Sequence, residues 1–158
     1  WGLNMYSKIL VAVDRSPIAE NIVETAICLA KSLNSELYFL HVLSQEVVES
    51  PINYTPYSFT YDTELMEELQ HQWEKYRQES VELLEYWANQ AKEKGIKVDS
   101  SQVYGMPGVI ICQQAKKWEA DLIIMGRRGH STVSEILLGS VSSYVIHRCH
   151  CAVHLVQF

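Results

Sequence analysis

One short segment gathers residue types able to bind an anion: Gly126-Arg127-Arg128-Gly129-His130-Ser131-Thr132, followed by Gly139-Ser140-Val141-Ser142. Glycines at 126 and 129 accept positive φ, which lets neighbouring N–H groups converge into a phosphate-binding nest. Gly139-Ser140 opens a helical pattern, and a helix start offers free N–H groups and the positive end of the dipole. Ser140 and Ser142 add hydroxyl donors. Arg127, Arg128 and His130 concentrate positive charge in a chain of formal net charge −6. This chemistry suits a polyphosphate. It is not a Walker A loop, which needs Gly-x-x-x-x-Gly-Lys-Ser/Thr, nor the dinucleotide fingerprint Gly-x-Gly-x-x-Gly. On physics alone, two glycines three apart after a strand are a weak signal, and an ordinary strand-to-helix turn is the favoured reading.

Other reactive groups are weaker signals. Asp14 ends an apolar run and stands either as a Mg²⁺ ligand or catalytic base, or as a carboxylate that orients a ribose or caps the next turn. His147, Cys149, His150, Cys151 and His154 are zinc-type residues, but Cys-x-Cys spacing without a second ligand pair does not describe a closed site, so no metal is expected there. The cysteines Cys28, Cys112, Cys149 and Cys151 have apolar or helical flanks and are expected to be reduced thiols in a cytoplasmic protein. Trp73, Tyr76, Tyr86 and Trp87 follow helical spacing among many glutamates, which reads as core packing with a solvated face and not as a base-stacking platform.

These residues need a scaffold. The chain has 158 residues, 47% hydrophobic and 20% charged, enough for one core. Its acidic balance excludes a general nucleic-acid binder, and no apolar run approaches the roughly 20 residues needed to span a bilayer. No signal peptide is visible; Trp1–Asn4 reads as a tag remnant before Met5, with a single domain over 5–158. Near-continuous apolar runs at Lys8–Asp14, Glu36–Leu43, Asp121–Met125 and Ala152–Val156, and a weaker one at Lys97–Tyr104, imply strands covered on both faces. Helical patterns lie between them. The first opens with Ser16 as N-cap and Pro17 at N1. The second runs from Thr63 to Lys94 with Gly95 at C′. A third starts at Pro107, and a fourth covers Ser140 to Cys149. Alternating strands and helices predict an α/β doubly wound parallel sheet. The irregular stretch Ser44–Asp62, with Tyr54, Tyr57, Phe59 and Tyr61, is expected to fold over its own domain.

Gly126-x2-Gly129-x9-Gly139-Ser140 resembles the ATP-binding signature of the universal stress protein family. The opening Ile9-Leu10-Val11-Ala12-Val13-Asp14-x-Ser16 is similar to the family's opening, His41-Val42 ends the second strand as there, and Val141-Ser142 follows the signature as in nucleotide-binding members. The resemblance spans Met5 to Val156. It implies a five-stranded parallel sheet in order 3-2-1-4-5 with helices on both faces, a Rossmann-like or adenine nucleotide alpha hydrolase-like fold. It further implies Ala12 and Asp14 beside base and ribose, the Val42 backbone at the adenine edge, and Met125 with Gly126, Arg127, Arg128, Gly129, His130 and Ser131 around ribose and phosphates. Gly139, Ser140, Val141 and Ser142 would hold phosphates from the helix start.

The ligand so implied is ATP with Mg²⁺, AMP and ADP being the alternatives. The role implied is a nucleotide-dependent stress regulator with slow or no hydrolysis, working through a protein partner that the residues do not name. It would be a homodimer through the last strand, with neither nucleic acid nor membrane as partner. A weak ATPase or nucleotide-transferring enzyme and a ligand-free dimeric scaffold are the competing readings. Two positions depart from the family pattern. Arg15 replaces a frequent glycine and is expected to face solvent. Ala152 replaces a proline in the last strand, which bears on strand geometry and not on binding.

Overall fold

A computed structural model describes residues 5–44, 63–127 and 138–157. Five strands, β1 (Lys8–Ala12), β2 (Glu36–Leu43), β3 (Val98–Tyr104), β4 (Leu122–Gly126) and β5 (Ala152–Val156), alternate with four helices, α1 (Ala19–Leu33), α2 (Thr63–Glu93), α3 (Pro107–Trp118) and α4 (Ser140–Arg148). All strand pairs are parallel, and the order is β3-β2-β1-β4-β5. The doubly wound sheet expected from the apolar runs is therefore present.

The alternation of side chains divides the core in two. Ile9, Val11, Leu37, Phe39 and Ile124 point to one face, where Ile22, Val23 and Ala26 of α1 and Leu84, Trp87 and Ala91 of α2 cover them. Leu10, Leu40, Ile123 and Met125 point to the other, under Ile111 and Ala115 of α3 and Val145 of α4. A strand buried on both faces has no polar side to show, which is why these runs read as continuous. Each fully buried Leu, Ile or Phe contributes roughly 1.5–3 kcal/mol relative to exposure.

Asp121, the residue before β4, ties down the start of the chain. Its Oδ2 accepts the N–H groups of Ser7 and Lys8, each at 2.9 Å, and its own N–H donates to the Lys8 carbonyl. Gly95 closes α2 with φ +79°, and the N–H groups of Gly95 and Ile96 return to the carbonyls of Lys92 and Ala91. That is a Schellman closure, for which glycine is the favoured residue.

Several expectations are corrected. Helix α1 begins at Ala19, with Ile18 at the N-cap and no side-chain cap. Ser16 and Pro17 instead build a turn: Asp14 Oδ1 accepts the Ser16 N–H at 2.9 Å, and the Ala19 N–H donates to the Ser16 carbonyl. Pro17 thus fills the second position of a β-turn, a site its fixed φ also suits. Among the helical aromatics, Tyr76 and Trp87 are buried, but Tyr86 is exposed, one residue and about 100° round the helix from Trp87. Trp87 Nε1 donates to Glu20 Oε1, joining α2 to α1.

The cysteines are not all free. Cys112 and Cys149 form a disulfide between α3 and the C-cap of α4, while Cys28 and Cys151 are thiols. Apolar flanks report burial and say nothing about which residues tertiary packing brings together. Trp1–Asn4, the aromatic stretch 45–62, and Arg128, Gly129, His130, Ser131 and Thr132 lie outside the described residues. Among the described residues, no helix is long and apolar enough to cross a membrane.

Candidate functional site

In an open parallel sheet the crevice for ligands lies beyond the carboxyl ends of the strands where the order changes direction. Here that place is between β1 and β4, which are direct neighbours. Ala12 and Asp14 leave β1; Met125, Gly126 and Arg127 leave β4; Val42 lies one residue before the end of β2. Of the expected residues, all that are described fall at these exits or at the start of α4.

The α4 start is built by backbone. Gly139, the N-cap, has an extended conformation (φ −63°, ψ 156°) and no side chain to cap the helix. Its N–H donates to the Arg127 carbonyl at 3.1 Å, and its carbonyl accepts the Ser143 N–H at 2.9 Å. The first-turn N–H groups of Ser140, Val141 and Ser142 have no acceptor within the helix, and Ser140 is exposed. Ser142 departs from its expected role as a displayed donor. Its side chain is 2% exposed, and its hydroxyl lies 2.6 Å from the Arg127 carbonyl and 3.0 Å from that of Gly139. It braces the helix start against the β4 exit. Arg127 Nη1 donates to Gln157 Oε1 beyond β5.

The β1 exit has its own polar floor. Asp14 Oδ1 is engaged by the Ser16 N–H, which is the turn-capping role weighed for it. The Ser16 hydroxyl beside it is buried and has no hydrogen-bond partner among the described residues, a state that native structures rarely keep without a use. Arg15 does not face solvent freely. Its guanidinium lies over the Tyr76 ring, 5.1 Å from the centroid, and pairs with Glu79 at 3.3 Å. The cation is laid down on α2, held by an aromatic face and a carboxylate.

His41, which marks the end of the second strand in the sequence, has a structural role that the sequence pattern does not assign. It is 4% exposed, in β2 directly before Val42 and opposite Gln102 of β3. Gln102 Nε2 donates to His41 Nδ1 at 3.0 Å and to the Arg77 carbonyl at 3.2 Å. With Nδ1 accepting, the ring proton sits on Nε2. Burial lowers its pKa from 6.5 to about 4; the Asp14 charge opposes that fall and Arg15 adds to it. The imidazole is neutral at physiological pH. A polar residue inside an otherwise apolar run was the available signal, with Gln102 as its polar counterpart in the weakest strand. Among the described residues, no three or more His, Cys, Asp or Glu side chains gather to hold a metal ion.

The model of the universal stress protein family matches residues 5–157. The chain belongs to the universal stress protein family. Universal stress protein Sll1388 of Synechocystis is 38% identical over 155 residues, covering 96% of this chain and 98% of that protein. Universal stress protein MJ0531 of Methanocaldococcus jannaschii is 33% identical over 156 residues, covering 99% and 85%. Among solved structures, that of the hypothetical protein MJ0577 superposes with a TM-score of 0.76 at 27% identity, covering 98% of this chain and 97% of that one. Two others share the fold: a universal stress protein solved with cAMP (TM-score 0.62, 23% identical) and one from Archaeoglobus fulgidus solved with dAMP (TM-score 0.61, 20% identical). The universal stress protein fold, with its order 3-2-1-4-5, is thus established for this chain.

Proposed function

We propose that this universal stress protein binds ATP, carried with Mg²⁺, in the crevice between β1 and β4, and acts as a nucleotide-dependent regulator in a stress response. The observation that carries this reading is the start of α4. Three first-turn N–H groups, at Ser140, Val141 and Ser142, stand behind a glycine N-cap at the β4 exit. Such a helix start favours a phosphate through both its hydrogen bonds and its dipole. In this reading Ala12, Asp14 and the Val42 backbone serve the nucleoside. Met125, Gly126 and Arg127 continue the wall, and Arg128, Gly129, His130 and Ser131 enter on the strength of the family signature. The Ser16 hydroxyl, buried and without a partner among the described residues, fits a polar ligand beside Asp14. Mg²⁺ usually takes one or two protein carboxylates together with substrate phosphates, so Asp14 alone suffices on the protein side. Relatives in fold that were solved with cAMP and dAMP support an adenine nucleotide.

The reading also holds hydrolysis to be slow or absent. β5 lies at an edge of the sheet, and a two-fold pairing through it would remove that edge, so the proposed assembly is a homodimer. Calorimetric titration with ATP, ADP and AMP, with and without Mg²⁺, tests the proposal. Saturable ATP binding is expected. No heat at millimolar ATP would leave the dimeric scaffold as the better reading.

A further inference from the structure

Helix α4 is held at both ends. At its start, the Gly139 N–H and the Ser142 hydroxyl reach the Arg127 carbonyl. At its end, Cys149 is bonded to Cys112 of α3, with the Cα atoms 5.4 Å apart and a sequence separation of 37. The span between the two cysteines contains β4 and all of α4. The helices between these anchors are in close contact. A Cβ on Gly108 would lie 2.8 Å from Tyr144 Cδ1, and Ile111 and Val145 share one apolar cluster. Both bonded cysteines are half-buried, within reach of small reagents. Neither remaining thiol competes well. Cys28 is exposed on α1, across the sheet from α3 and α4. The Cys151 thiol is partly buried, and that burial pushes its pKa up, which disfavours the reactive thiolate.

We propose that Cys112 and Cys149 form a reversible oxidation site for small hydroperoxides, whose disulfide fixes α4 and thereby tightens the hold of its first-turn amides on nucleotide. The coupling to ligand rests on the nucleotide-binding reading given above. In the forward direction one thiolate attacks the peroxide O–O bond, giving a sulfenic acid and releasing one water or alcohol. The second thiol attacks the sulfenic sulfur, the S–S bond forms, and a second water leaves. The two cysteines lose two electrons and two protons, and the peroxide is reduced. A dithiol reductant reverses the bond by two exchange steps. Coupling between a covalent state at one end of a short helix and a ligand at the other is of the usual allosteric size, roughly 5- to 150-fold in affinity.

The experiment uses the full chain, reduced with a phosphine and then divided, one half treated with hydrogen peroxide. Thiol titration and peptide mapping read the bond, hydrogen exchange reads the amides of α4, and calorimetry reads the Kd for ATP with Mg²⁺. The reduced protein is expected to show all four thiols and the oxidised protein two, with Cys112 linked to Cys149. Exchange in α4 should slow on oxidation, and ATP should bind about tenfold more tightly. Cys112→Ser and Cys149→Ser should abolish both responses, while Cys28→Ser and Cys151→Ser keep them. The proposal is overturned if four thiols survive peroxide, if Cys151 takes the place of either partner, or if the bond forms without changing exchange in α4. Slower exchange with no ATP binding in either state would refute the nucleotide reading, and with it the coupling, while the oxidation clamp on α4 stands.

Discussion

A charge placed at residue 140 separates the ligand reading from a merely structural one. Ser140 is exposed in the first turn of α4, behind a glycine N-cap that offers no side-chain oxygen. In Ser140→Asp the carboxylate would occupy the same N–H groups that a phosphate needs. For the helix this is favourable: an acidic residue in the first turn contributes about 0.3–1 kcal/mol, which in a protein of this size raises Tm by about 1–3 °C. For a polyphosphate it is unfavourable. One negative charge about 5 Å from another, at an effective dielectric of about 40 for a surface site, costs about 1.7 kcal/mol. That energy weakens ATP binding roughly 20-fold. Thermal melts and calorimetry on the same preparation should therefore move in opposite directions, Tm up and affinity down. Ser140→Ala, which keeps the amides and adds no charge, should lose much less affinity. If Ser140→Asp bound ATP within twofold of the parent protein, the α4 start would not be where phosphate sits, and the proposed site would be wrong.

Asp14→Asn keeps an oxygen for the Ser16 N–H but removes the charge, so the fold should persist while the gain in ATP affinity from added Mg²⁺ disappears in calorimetry. His41 has a folded pKa of about 4 against 6.5 when unfolded, so the unfolded chain binds more protons. Its contribution to stability is present above pH 6.5 and lost as pH falls towards 4; urea melts should show about 2 kcal/mol lost between pH 7 and pH 5, a slope that His41→Asn should largely flatten. Gly108→Ala should cost about 1–3 kcal/mol by overpacking, because the new methyl would lie 2.8–3.0 Å from Tyr144 Cδ1, Cγ and Cβ. Urea melts check this, and Tyr144→Ala in the same chain should recover part of the loss.

The parts of the fold legible in the sequence are those set by burial. Glu36–Leu43 and Ala152–Val156 match β2 and β5 residue for residue, because an apolar run bounded by polar residues needs no tertiary information to be recognised. Gly95 was readable for a similar reason, since only its own backbone decides the left-handed closure. What was not legible depends on partners distant in sequence. The Arg15 guanidinium could not be placed without Tyr76 and Glu79, some 60 residues on. The disulfide depends on how α3 crosses α4, and neighbouring residues carry no trace of that angle. Ser16-Pro17 failed because the same dipeptide serves a helix start and a β-turn equally, and the Asp14 carboxylate decides for the turn. Of the candidate site, Gly139-Ser140 was readable as a helix start and stands at one, while Gly126 ends β4 as a strand residue without the positive φ expected of it; His41 and Gln102 gain meaning only from their register across two strands.

The bond from Asp121 to the amides of Ser7 and Lys8 spans more than 110 residues. Its consequence falls on the growing chain during synthesis. β1 can pair with β2 early, but its other edge has no partner until β4 has left the ribosome. Through that interval a strand apolar on both faces stands with one row of N–H and C=O groups open, the condition that invites pairing with other chains. Lys8 and Asp121 therefore close the sheet only late in translation, and a chain interrupted before β4 leaves its most apolar strand exposed to aggregation.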